Sequence, residues 1–176
     1  MDSTQATKPA ASAGFMDKMI GGKTLREYLG IIKIPLLVLI AMDVVQFLFG
    51  FVNYIPLLNI ITGIISILVG VVFFLISVAI GVYIGYVTVK KHGGNLLPAT
   101  FAGTLAGFLS GVVSGVLSFI SGMIGAGVSG SGLGIGVGIM VSVMALILSP
   151  IFGIISGAVL GVIGGLIAGA RKFGGK

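Results

Sequence analysis

Four apolar runs, residues 34–52, 60–89, 97–124 and 133–170, take up most of this chain, and each meets or nearly meets the roughly 20 residues that a helix needs to cross a bilayer core. Inside lipid every backbone N–H and C=O must find a partner within the protein, which leaves only helices and closed barrels. The runs show no two-residue alternation of polar and apolar side chains, so a barrel is excluded. Composition agrees: 57% of residues are hydrophobic and 8% charged, where a soluble domain carries about a quarter charged residues. The sequence therefore predicts an all-α integral membrane protein, a glycine-zipper bundle of four transmembrane helices preceded by an amphipathic interfacial helix, with five spans as the alternative.

The glycines supply the zipper. FAGTLAGFLSGVVSGVLS, residues 101–118, places Gly103, Gly107, Gly111 and Gly115 at four-residue intervals, and the last run repeats the spacing at Gly153, Gly157, Gly161, Gly165 and Gly169. Acyl chains are as apolar as leucine, so helices in lipid associate through close van der Waals contact, which a glycine face permits. The two faces are natural partners of each other or of copies in neighbouring subunits. The second run carries a looser small-residue stripe, Gly63, Ser66, Gly70, Ser77, Gly81 and Thr88, suited to left-handed crossing.

Residues 1–14 read as a disordered polar cytoplasmic tail without the apolar core of a signal peptide. Residues 15–33 mix basic positions with Phe15, Met19, Ile20, Leu25, Tyr28, Leu29 and Ile32, and Thr24 with Glu27 forms a T-x-x-E capping box. This segment is expected to be the interfacial helix, its lysines and arginine drawn to anionic headgroups. A solvated linker is the competing reading, since Gly21 and Gly22 interrupt the pattern. Residues 34–170 form the membrane domain and residues 171–176 a basic cytoplasmic tail.

The last run would be about 57 Å long as a straight helix, beyond a hydrocarbon core of about 30 Å. Pro150 lies within it and removes a backbone hydrogen bond. It is expected either to kink one long span or to join two at Ser149 and Pro150. Four spans with the N-terminus inside place Lys8, Lys18, Lys23, Arg26, Lys33, Lys90, Lys91, Arg171, Lys172 and Lys176 all on the cytoplasmic side, as the positive-inside rule favours; five would put the last three outside.

SGLGIGVGIM, residues 131–140, resembles the glycine-rich helix of the rotor-ring proteolipid of rotary ATPases. That resemblance implies an ion-binding carboxylate on the partner helix of a hairpin, and neither of the last two spans here holds an acid. Four short spans with G-x-x-x-G faces are also similar to small prokaryotic polytopic families of unknown function. This similarity implies a fold style without a mechanism; the expected location is the prokaryotic cytoplasmic membrane, with both termini placed on the cytoplasmic side by the positive-inside rule.

Between Lys33 and Lys90 the single charged residue is Asp43, at the midpoint of the first run. A charged aspartate there costs about 2.5–3.5 kcal/mol on insertion scales. Helical spacing puts Asp43, Gln46, Gly50 and Asn53 on one face, so Asp43, Gln46 and Asn53 form a candidate intramembrane polar site. It can serve as a proton or cation site, as a contact to a partner subunit, or merely as a polar group hydrogen-bonded to Gln46 or a serine.

Nothing else offers chemistry. His92 stands beside Lys90 and Lys91 without further ligands, there is no cysteine, and no Ser-His-Asp set or carboxylate pair is visible. Tyr54, Tyr83 and Tyr86 suit interfacial anchoring. No glycine-rich phosphate motif ending in GK[ST] occurs, so no cofactor or metal is implied. The net charge of +6 is accounted for by membrane orientation, not by nucleic acid. The expected function is a non-enzymatic structural or accessory subunit, partnered with the lipid bilayer and assembling through its glycine faces into a homo-oligomer or a larger membrane complex. The alternative is a small channel or transporter for protons, cations or small solutes that uses Asp43.

Overall fold

The computed structural model describes residues 15–17, 19–52, 59–92, 95–129 and 132–169. Four helices dominate it: α1 (Leu25–Val52), α2 (Asn59–His92), α3 (Leu96–Ser129) and α4 (Gly132–Ile167), each long and apolar enough to cross a membrane. They form an up-and-down bundle. Tyr28 meets Phe101 and Asp43 meets Ser110, so α1 and α3 run parallel. Gly81 lies against Leu160 and Val89 against Gly165, so α2 and α4 run parallel too, whereas Gly103 opposite Gly157 and Gly115 opposite Leu146 set α3 antiparallel to α4.

Packing is uneven. The α3–α4 contact is the most extensive, α2 leans on α4, and α1 touches α2 and α3 more lightly. Large apolar side chains such as Leu68, Phe74, Ile147 and Phe152 face outward, which in a bilayer is the lipid-facing side. At 1.5 Å per residue α2 and α4 are about 50 Å long, so they tilt or extend beyond a core of roughly 30 Å.

Pro150 does not divide the last run, because α4 continues through it as one helix. The carbonyl of Leu146, which Pro150 leaves without its helical N–H partner, faces the backbone of Gly115. Among the described residues the spans therefore number four.

Residues 15–33 depart from the expected single helix. A 3-10 turn at Phe15–Asp17 leads into a two-stranded hairpin, β1 (Met19–Ile20) and β2 (Lys23–Thr24), with Ile20 paired to Lys23. Its two-residue loop is Gly21–Gly22, with φ of 59° and 84°; a tight hairpin turn of this kind needs positive φ at both central positions, which glycine tolerates. The capping box does operate, but on the first span itself. The Thr24 N–H donates to Glu27 Oε2 at 2.8 Å and the Glu27 N–H to Thr24 Oγ1 at 3.3 Å, so α1 starts at Leu25 and runs unbroken through Pro35.

The hairpin is tied down. The buried Tyr28 hydroxyl donates to the Ile20 carbonyl at 2.8 Å, and its ring lies 4.8 Å from that of Phe101 at 59°. Tyr28, Ile32, Ile84, Ala102 and Ala106 form a buried apolar cluster at this end of the bundle. The same end holds the described basic residues, Lys23, Arg26, Lys33, Lys90 and Lys91. The terminal segments expected at 1–14 and 171–176 lie outside the described residues.

Candidate functional site

The glycines and the acid end up on different seams. On the α3–α4 seam, a Cβ on Gly103 would overlap the carbonyl oxygen of Gly157 and one on Gly107 that of Gly153, and both overlaps are reciprocal. Gly111 meets the Ser149 carbonyl and Gly161 that of Ala99, each too close for a side chain. Gly165 faces the side chains of Leu96 and Ala99. Gly169 stands apart from this packing: it follows α4 with φ 86°, has nothing within 4 Å of a Cβ, and its N–H closes a turn on Leu166. It therefore ends the helix, as a glycine with positive φ commonly does.

On the α1–α3 seam, Ser110 Oγ donates to Asp43 Oδ2 at 3.1 Å. Asp43, Gln46 and Gly50 share the face of α1 that the helical spacing predicts, and they line a cleft of about 400 Å³ opposite Ser114, Ser118 and Ser121 of α3. A second cavity, about 340 Å³, begins at the same Asp43 and Ser114 and continues between α2, α3 and α4, past Ser77, Ser149 and Ser156, along the edge of the glycine seam at Gly107 and Gly153 and against apolar side chains such as Leu39 and Phe152. Ser156 bonds back to the Phe152 carbonyl of its own helix. Asn53, the third member of the candidate site, lies outside the described residues.

The serines are what reading the sequence missed. Ser110, Ser114, Ser118 and Ser121 recur at intervals of four, four and three, a helical stripe as regular as the glycines, and three of them are followed directly by a glycine. Successive residues on a helix are about 100° apart. When the glycine stripe turns toward α4, the serine stripe must turn aside, and here it faces α1.

Depth completes the geometry. The α3 residues lining the two cavities extend from Gly103 to Gly122, a rise of about 28 Å at 1.5 Å per residue, close to the full hydrocarbon thickness of about 30 Å. Toward the basic end the lining includes Ile84 and Ala106, which belong to the Tyr28 cluster. Among the described residues no other titratable side chain lines either cavity, and no cluster of His, Cys, Asp and Glu could hold a metal.

These features define a four-helix membrane bundle with a polar track at one acid. Compared with known protein families, with curated proteins and with solved structures, the chain matches none.

Proposed function

We propose that this protein is a small non-enzymatic membrane channel or transporter for protons, cations or small polar solutes, with Asp43 as the group that meets the solute. One observation carries the reading: a serine-lined cleft and a second cavity, lined by glycines and apolar side chains with five serines among them, meet at Asp43 and Ser114, and their α3 lining residues together extend over nearly the depth of a bilayer core. Polar and ionisable side chains are expensive inside a membrane and mark solute pathways when they face a cavity. An accessory subunit that assembles through its glycine faces draws less support, because those glycines meet one another within a single chain. The gathering of basic residues at one end favours that end, with both termini, facing the cytoplasm.

Thiol labelling tests this directly, since the chain has no cysteine of its own and a thiol reacts with charged reagents only where water lets it ionise. Single Ser114→Cys and Ser118→Cys variants in membranes should react with a charged thiol reagent, while Leu68→Cys on the outer face, 63% exposed to the surroundings, should not. Unreactive thiols at both 114 and 118 would remove the hydrated track and the reading with it. An impermeant reagent added from outside should label cysteine placed at Ser131 and spare cysteine placed at Ser12.

A further inference from the structure

Charge counting narrows the solute. Asp43 is the single charged residue between Lys33 and Lys90, and no charged residue occurs from Gly93 to Ala170. The described walls of the two cavities hold no lysine, arginine or histidine, so the protein supplies one negative charge at mid-membrane and no counter-charge. Groups able to meet a ligand beside that carboxylate are oxygens: the hydroxyls of Ser110 and Ser114 and the amide oxygen of Gln46. Ser110 gives its proton to Asp43 and keeps its lone pairs for another partner.

From this juxtaposition we propose that the Asp43 cleft holds one monovalent cation at a time, a proton or an alkali ion, and rejects divalent cations and anions; the proposal rests on the conduction reading above. A single positive charge beside Asp43 makes the occupied site neutral, the one state that a low-dielectric surrounding tolerates without another partner. A divalent ion leaves a net positive charge there. Calcium also takes six to eight oxygen ligands, several of them usually carboxylate, and this cleft has one acid. An anion adds a second negative charge beside the first, with no donor cation to receive it. Oxygen donors without nitrogen or sulfur suit hard cations and offer little to softer metals.

The test uses the full chain in vesicles of phosphatidylcholine and phosphatidylglycerol, with gradients of protons, Na⁺, K⁺, Ca²⁺ and Cl⁻ applied separately and entry followed by ion-sensitive dyes. Protons, Na⁺ or K⁺ should enter faster than into protein-free vesicles, and Ca²⁺ and Cl⁻ should not. Asp43→Asn should lower the monovalent flux to the protein-free rate, and Asp43→Glu, which keeps the charge, should retain it. The wild-type selectivity needs no variant, so a misfolded substitution cannot hide the answer. Entry of Ca²⁺ or Cl⁻ at the monovalent rate overturns the proposal, as does undiminished flux through a monodisperse Asp43→Asn protein or no flux of any ion through wild type. If cysteines at 114 and 118 still label in any of these cases, the hydrated track stands and only the charge selectivity has failed; if they do not label, both fall.

Discussion

Gly107 of α3 sets its backbone against the Gly153 carbonyl of α4, whereas Ser110, three residues further on, bonds a carboxylate on α1. The two seams on one helix obey different physics. Between α3 and α4 no side chain separates the backbones at the facing glycines, and the close approach gathers the dispersion contacts that hold helices together where lipid removes the hydrophobic drive. Between α1 and α3 a cleft opens whose lining mixes hydroxyl, amide and carboxylate with the side chains of Phe47 and Leu117. Polar side chains within the tight part of the bundle behave differently again: Thr88 and Ser142, both buried, bond back to carbonyls of their own helices, Ile84 and Gly138. Ser110 instead bonds across helices. One seam thus brings two backbones together, and the other carries the acid.

The largest effect is expected from breaking the close-packed seam. Gly107→Leu drives a side chain into the α4 backbone, and relief requires the helices to part; the loss should exceed the ~1–3 kcal/mol typical of an overpacked core. It should appear as a steep fall in melting temperature and loss of monodispersity in detergent. Gly136→Leu, at an α4 position where a Cβ meets nothing within 4 Å, serves as the control and should leave both unchanged. Equal stability of the two variants would end the distinction between the seams.

The next effect has the opposite sign. Asp43→Leu removes a residue whose burial in the bilayer centre costs about 2.5–3.5 kcal/mol and forfeits one interhelical hydrogen bond, worth about 0.6 kcal/mol on average in a membrane. The variant should melt at a higher temperature than wild type while losing solute flux. A lower melting temperature would make Asp43 a structural tie between α1 and α3.

A smaller loss is expected at the basic end of the bundle. Tyr28→Phe keeps the ring against Phe101 but deletes the bond to Ile20, about 1 kcal/mol. Hydrogen exchange at the hairpin amides of residues 19–24 should quicken, with the four spans as protected as before. Faster exchange spread through α1 would show that the hairpin also supports the wide seam. The smallest change belongs to Ser110→Ala, about 0.6 kcal/mol, within reach of thermal melts on matched samples; a drop as large as that of Gly107→Leu would contradict the loose packing of α1.

Much of this architecture was legible along the chain because it is written in local periods. Apolar length identified the spans, the Thr24–Glu27 pair marked a helix start that the structure places at Leu25, and the four-residue glycine spacing marked two small faces. Asp43, Gln46 and Gly50 fell on one side by helical geometry alone. The segment at 15–33 was misleading, since its apolar spacing imitates a helix while Gly21 and Gly22 turn it into a hairpin. The α3 serines carry a period as clear as the glycines, yet a stripe of small hydroxyls in lipid reads as packing until something is seen opposite it.

Spacing along a helix, then, came from the sequence by itself, together with the membrane class and the position of the one mid-span acid. Only the tertiary structure decided azimuth: that the glycines of α3 meet those of α4 within one chain, that the serine stripe consequently faces α1, and that Ser110 is the partner of Asp43 across 67 residues of sequence. A one-dimensional pattern gives the angle between two stripes on one helix, about 100° per residue, but not the direction in which either points. That rotation is set where backbones fit closely over the greatest length, and in this bundle the most extensive contact is the α3–α4 glycine seam.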